Sequence, residues 1–177
     1  MSSILDKAKA IKLLVLDVDG VMTDGSVYFT SQGDELKAFN IMDGLGIKML
    51  QKTGVIVAII TGRVSPLVAR RARDLGIIEL QQGREDKLAA LKELSDELEI
   101  PFEEIAYMGD DLPDLAAIQN TRLGITVPDS IDFIKRHADF VTSTAGGKGA
   151  VREVCNLLMT AQGTLNDILE SYQASNQ

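Results

Sequence analysis

Ile11-Lys12-Leu13-Leu14-Val15-Leu16-Asp17-Val18-Asp19-Gly20 is a short apolar run that stops on a pair of carboxylates. A run with so few polar residues suits a strand of a parallel sheet covered on both faces. Two further runs have the same form. Val55 to Ile60 stop at Thr61, and Ile105 to Met108 stop at Gly109-Asp110-Asp111. Ile77 to Leu80, Leu123 to Val127 and Asp139 to Val141 read as additional strands. Between them lie helical patterns: Leu88, Leu91, Leu94 and Leu98 recur at three- and four-residue spacing, as do Val151, Val154, Leu157, Leu158 and Ala161. Asp43 to Lys52 and Ser65 to Leu75 are two more, stopped by Gly54 and Gly76. The alternation predicts an α/β fold, a Rossmann-like parallel sheet with helices on both faces and right-handed crossovers.

Residues 25–40, GSVYFTSQGDELKAFN, break that rhythm and read as two short strands around a turn, a projecting β-hairpin. At 177 residues the chain is expected to form a single domain over 1–177, with a tail from about residue 163 that turns polar and is expected to fray. With 45% hydrophobic and 25% charged residues it has the composition of a globular protein. No apolar run approaches the roughly 20 residues of a membrane span. The opening MSSILDKAKAIK lacks the apolar stretch of a secretory signal, so a cytoplasmic location is expected. A single cysteine, Cys155, excludes an internal disulfide and a multi-cysteine zinc site, and packing in the core is the expectation for it. The net charge of −8 argues against nonspecific nucleic-acid binding. It also means that an anionic substrate would need local cations or a metal to offset the protein's own field.

Ligands of parallel α/β sheets bind beyond the carboxyl ends of the strands. Here those ends supply Asp17 and Asp19, then Thr61, then Asp110 and Asp111, while Lys87 opens a following helix. Each alone has an ordinary explanation: a strand-end turn, a turn threonine, a solvated lysine on a charged helix. Together they suit Mg²⁺ and a phosphoryl group. Mg²⁺ takes oxygen ligands in an octahedron, commonly one or two carboxylates with waters and phosphate oxygens, which Asp17 and Asp110 can supply. A carboxylate can also attack phosphorus and form an aspartyl-phosphate. Lys87 and the Thr61 hydroxyl can offset phosphoryl charge, and Gly20 permits backbone N–H groups to face phosphate oxygens. Asp19 can protonate a leaving oxygen and later activate water.

DVDG at Asp17 to Gly20, ITGR at Ile60 to Arg63, Lys87, and GDDLPD at Gly109 to Asp114 resemble the four motifs of the haloacid dehalogenase superfamily. Outside them, VMTDG at Val21 to Gly25, ELKAFN at Glu35 to Asn40, DGLGIK at Asp43 to Lys48 and AGGKGAVREVCNLL at Ala145 to Leu158 are similar to the 3-deoxy-D-manno-octulosonate 8-phosphate phosphatases. The likeness runs over roughly residues 10–163. It implies a capless, Mg²⁺-dependent phosphatase of lipopolysaccharide precursor synthesis that frees the sugar acid. It also implies a homotetramer in which the hairpin meets a neighbouring subunit's site. By that resemblance Asp17 is the nucleophile and Asp19 the general acid/base. The metal is held by the Asp17 carboxylate, the Asp19 backbone carbonyl and Asp110. Thr61 and Lys87 hold the phosphoryl group, Asp19, Gly62 and Arg63 adjoin the substrate, and Asp111 and Asp114 support the metal or Lys87. Met42 departs from the pattern, standing where many relatives carry arginine. The sugar is therefore less specified than the chemistry, with a nine-carbon keto-sugar acid 9-phosphate as the neighbouring substrate.

Two other classes share some of these features. A phospho-receiver domain also uses aspartate, Mg²⁺, Thr and Lys, but it has no need of a second aspartate two residues after the first. A non-catalytic scaffold would tolerate degenerate motifs, and none is degenerate here. Arg63 divides evenly between binding a substrate anion and pairing with a carboxylate. Gly146, Gly147 and Gly149 read either as an anion cradle at a helix start or, slightly favoured, as a flexible helix entry. His137 fits no motif and reads as a surface residue.

Overall fold

The computed structural model describes residues 3–174. Its main sheet has six strands in the order β5-β4-β1-β6-β7-β8, every pairing parallel. β1 (Leu13–Leu16) lies between β4 (Ile56–Thr61) and β6 (Ile105–Met108). The register sets Leu13 opposite both Ile56 and Ile105, and Leu16 opposite both Ile59 and Met108. The chain fills one side of β1 with β4 and β5 (Glu79–Gln82), then crosses to add β6, β7 (Leu123–Thr126) and β8 (Phe140–Val141) on the other. The crevice of an open α/β sheet lies at such a reversal.

Successive side chains of a strand point to opposite faces, so β1 divides its apolar residues between two cores. Leu14 and Leu16 pack with α2 (Ile41–Lys52), α3 (Pro66–Leu75) and α7 (Ala150–Ala161). Leu13 and Val15 pack with α4 (Lys87–Leu98), α5 (Leu115–Asn120) and α6 (Asp132–Lys135). The expected arrangement of a parallel sheet between two helical layers is therefore present. α3 ends, as the pattern predicts, on Gly76, whose φ of 71° is left-handed.

Four helices were not anticipated: α5, α6 and two near the ends of the chain. α1 (Ile4–Lys9) is capped by Ser3 and Asp6 and buries Ala8. α8 (Leu165–Ala174) occupies the stretch expected to fray, because Leu165 and Ile168 pack against the larger core. The projecting hairpin is present as β2 (Tyr28–Phe29) paired antiparallel with β3 (Glu35–Leu36). Among the described residues no helix is long and apolar enough to cross a membrane.

Candidate active site

The site begins one residue past the register that aligns Leu16 with Ile59 and Met108. The Asp17 N–H donates to the Met108 carbonyl at 2.9 Å, carrying the β1–β6 ladder to the carboxylate. The chain then closes a tight turn, with the N–H groups of Met22 and Thr23 donating to the Val18 carbonyl at 2.9 and 3.0 Å. Gly20 sits there at φ 95°, and a Cβ on it would lie 2.0 Å from Asp110 Oδ2. Glycine is thus required both by the backbone and by the approach of β6's carboxylate.

Beneath the turn the charges interlock. Lys87, the first residue of α4, is 4% exposed. Its ammonium donates to Asp17 Oδ1 at 2.5 Å and to the Ile60 carbonyl at 2.8 Å, and lies 3.3 Å from Asp114 Oδ1. Asp114 is saturated with donors. The Tyr107 hydroxyl reaches its Oδ1 at 2.7 Å, and the N–H groups of Asp110 and Asp111 reach its Oδ2 at 3.1 and 3.3 Å. Burial first, then the neighbouring Asp114 charge, pushes Asp17 up to about 6, against the pull of Lys87. Burial and the Asp17 and Asp114 charges push Asp110 up to about 7. The Tyr107 hydroxyl, buried beside Asp114, is held in its neutral form.

Asp17, Asp110 and Asp114 each bring a carboxylate oxygen within 4.8 Å of the others. Burial is the first cause of the raised values of Asp17 and Asp110, and the three carboxylates facing one ammonium add to it. A divalent cation with oxygen ligands fits this donor set. Asp114 is occupied by three hydrogen bonds and its ion pair with Lys87, so Asp17 and Asp110 are the carboxylates that could hold it.

A cleft of about 430 Å³ opens above this floor, and Asp17, Asp19, Thr61, Gly62, Arg63, Lys87, Asp110, Asp111 and Asp114 all line it. The residues singled out at separate strand ends are thus brought together. Their settings differ. Thr61 is buried at the end of β4. Asp111 is exposed and turned to its own backbone, accepting from the Leu112 N–H at 2.8 Å. Arg63 is half exposed and pairs with Glu35 Oε1 at 3.1 Å, so in this chain it meets a carboxylate.

Gly25, Glu85 and Pro113 also line the cleft without having been anticipated. Two more residues were missed: Tyr107, which read only as an apolar strand position, and Lys37, which pairs with Asp19 from the hairpin. The glycine-rich stretch before α7 is neither a cradle lining the cleft nor a loose entry. A Cβ on Gly146 would stand 1.8 Å from the Gly20 carbonyl oxygen, and the Gly147 N–H donates to the Val21 carbonyl at 3.0 Å. These glycines let one loop press on the turn that carries Asp19. The first turn of α7 already has an anionic partner, Asp43, whose Oδ1 accepts from the Arg152 N–H at 2.8 Å. His137 is exposed, its ring 4.6 Å from that of Phe133, and Cys155 is buried in the core, as expected.

A family model described as haloacid dehalogenase-like hydrolase matches residues 71–154. The 3-deoxy-D-manno-octulosonate 8-phosphate phosphatase KdsC of Salmonella typhi is 48% identical over 164 residues, 93% of this chain and 87% of that protein. This chain belongs to the 3-deoxy-D-manno-octulosonate 8-phosphate phosphatase family. The counterpart from Escherichia coli K12 is 47% identical over 94% of this chain and 88% of its own. Among solved structures, the family member from Moraxella catarrhalis, in complex with magnesium ion, phosphate ion and KDO, is 46% identical with a TM-score of 0.94, covering 96% of this chain and 97% of that one. The phosphatase family thus matches in fold as well as in sequence, and a magnesium cofactor agrees with the acidic cluster.

Proposed function

We propose that this chain is a Mg²⁺-dependent phosphoric monoester hydrolase that converts 3-deoxy-D-manno-octulosonate 8-phosphate to the free sugar acid and phosphate, a step of lipopolysaccharide precursor synthesis. The observation that carries the reading is the buried cluster of Asp17, Lys87, Asp110 and Asp114 at the strand ends. It is joined by near-complete coverage of a family member that binds magnesium, phosphate and KDO.

Asp17 is the nucleophile. At about 6 its raised value still leaves it mostly ionised at neutral pH. Lys87 fixes one of its oxygens, so the other is presented to phosphorus. As the Asp17 oxygen bonds to phosphorus, the bond to the sugar oxygen breaks, and Asp19 gives the departing alkoxide its proton. Water then attacks the aspartyl-phosphate, Asp19 takes up the water's proton, and the Asp17 carboxylate is released. Lys87, Thr61 and the Gly62 backbone face the phosphoryl oxygens, and Arg63 stands at the substrate's path. The carboxylates of Asp17 and Asp110 and the Asp19 carbonyl would hold Mg²⁺, which would supply positive charge for the phosphoryl oxygens and lower the repulsion between nucleophile and substrate. Asp114 positions Lys87, and Asp111 shapes the turn that carries Asp110.

We also place the chain in the cytoplasm, as a single domain, and in a homotetramer with sites shared between subunits. Tyr28 and Phe29 support the shared site, since both are at least half exposed on a hairpin too short to be stable alone. The decisive assay measures Mg²⁺-dependent phosphate release from 3-deoxy-D-manno-octulosonate 8-phosphate beside the nine-carbon 9-phosphate. Preference for the eight-carbon ester is expected. Preference for the other reassigns the sugar, and no release from either overturns the reading.

A further inference from the structure

Lys37 is out of keeping with the hairpin that carries it. Phe29 is 65% exposed, yet the Lys37 side chain is only 1% exposed. Taking an ammonium out of water is costly unless its partners match it. Lys37 donates to Asp19 Oδ1 and lies 3.6 Å from Glu35 Oε1. Glu35 is anchored in turn, accepting from the Ser65 hydroxyl at 2.9 Å and from Arg63 at 3.1 Å. The Ser65 N–H donates to Gln82 Oε1 at 2.8 Å, which ties the network to the end of β5. Asp19 Oδ2 has a different setting: its neighbour Arg63 Nε stands 3.8 Å away, outside hydrogen-bond reach. One oxygen of Asp19 is therefore fixed to the hairpin root, and the other remains for a reacting group in the cleft.

We infer that Lys37 is a positioning residue for proton transfer, holding Asp19 by Oδ1 so that Oδ2 meets the leaving oxygen in the first step and the attacking water in the second. The inference rests on the assignment of Asp19 as general acid/base. The proton that leaves with the sugar comes from Asp19 and is restored to Asp19 from water, and Lys37 keeps its own throughout. Without Lys37 the carboxylate is free to turn about its side-chain torsions, and its alignment is lost while Asp17, Lys87 and Asp110 are untouched.

The test compares two esters whose leaving groups differ in their need for a proton: the sugar 8-phosphate, which leaves as a basic alkoxide, and p-nitrophenyl phosphate, which leaves as a stable phenolate. For Lys37→Met, the single-turnover rate of ester cleavage, read before the aspartyl-phosphate hydrolysis that both esters share, should fall about 100-fold on the sugar ester. On the nitrophenyl ester it should fall less than about 10-fold, with KM and the Mg²⁺ requirement little changed. Lys37→Arg should recover part of the sugar-ester loss. Lys37→Gln, which keeps a donor and most of the bulk, should show the same ester-selective loss in weaker form, and it carries the test if the methionine variant does not fold. Equal losses on both esters, or undiminished turnover of the sugar ester while Asp19→Asn is inactive, would overturn the inference alone. Full sugar-ester turnover by Asp19→Asn would overturn the reading on which it rests.

Discussion

The floor of the cleft and its hairpin rim are built in opposite ways. On the floor, Asp17, Lys87 and Asp114 are nearly excluded from solvent and each is hydrogen-bonded. Their positions follow from strand register and from the first residue of a packed helix. On the rim, β2 and β3 pair over two residues each, Tyr28 is 50% exposed, and the hairpin is joined to the cleft by the charges of Lys37, Glu35 and Arg63. Buried, donor-saturated charges are rigid and expensive to disturb, whereas exposed apolar residues and a pair such as Arg63–Glu35, half exposed at the arginine, contribute little to the stability of one chain. The division supports the proposal that phosphoryl chemistry is anchored in the core while the hairpin, exposed at Tyr28 and Phe29, takes part in recognising the remainder of the substrate.

The largest effect should come from the floor. Asp17→Asn is expected to lower kcat by about 10⁴-fold or more, since an amide is a poor nucleophile. Single-turnover phosphate release measures this, and near-normal turnover would remove Asp17 from the chemistry. Asp110→Ala is next: in a Mg²⁺ titration of initial rates, the concentration for half-activity should rise by about 10- to 100-fold. An unchanged titration would place the metal elsewhere.

Tyr107→Phe tests whether the floor is rigid because of its hydrogen bonds. Removing the hydroxyl takes a donor from the buried Asp114, and a loss of about 1–3 kcal/mol in denaturant unfolding is expected. A fall in kcat of roughly 10-fold should accompany it as Lys87 loses its fixed partner. No change in either would mean that the contact is incidental.

The pH dependence of the metal effect follows from the raised carboxyls. With Asp17 at about 6 and Asp110 at about 7, the metal-free fold binds more protons than the unfolded chain from roughly pH 4 to pH 7. These groups therefore favour the metal-free fold at low pH, and their contribution falls as pH rises through that window. Mg²⁺ should thus raise the melting temperature by several degrees more at pH 8 than at pH 5. Calorimetry checks this, and a shift independent of pH would contradict the charge accounting at the floor.

The smallest effect on the single chain should come from the rim. Phe29→Glu is expected to change stability by less than about 0.5 kcal/mol. Turnover of a small generic phosphate ester should stay within about twofold, while sugar-phosphate turnover falls and sedimentation shows a smaller assembly. A monomeric variant with full sugar-phosphate turnover would separate recognition from the hairpin.

Apolar runs and three- and four-residue spacings are local patterns, so the sheet strands and the helices α2, α3, α4 and α7 could be read from the chain, as could the polar residues that must emerge where strands end. α1, α5, α6 and α8 could not: the first three are only four to six residues long, and α8 owes its place to the core contacts of Leu165 and Ile168. The order of the strands, and thus the meeting of Asp17 with Asp110, was decided by the crossover at β1. Tertiary structure alone decided that Tyr107 serves Asp114, that Lys37 reaches Asp19 and that Gly146 presses on the Gly20 carbonyl. Periodicity records which face of an element is apolar. A hydrogen bond or a close backbone approach depends instead on where folding brings two elements together, and no local pattern carries that information.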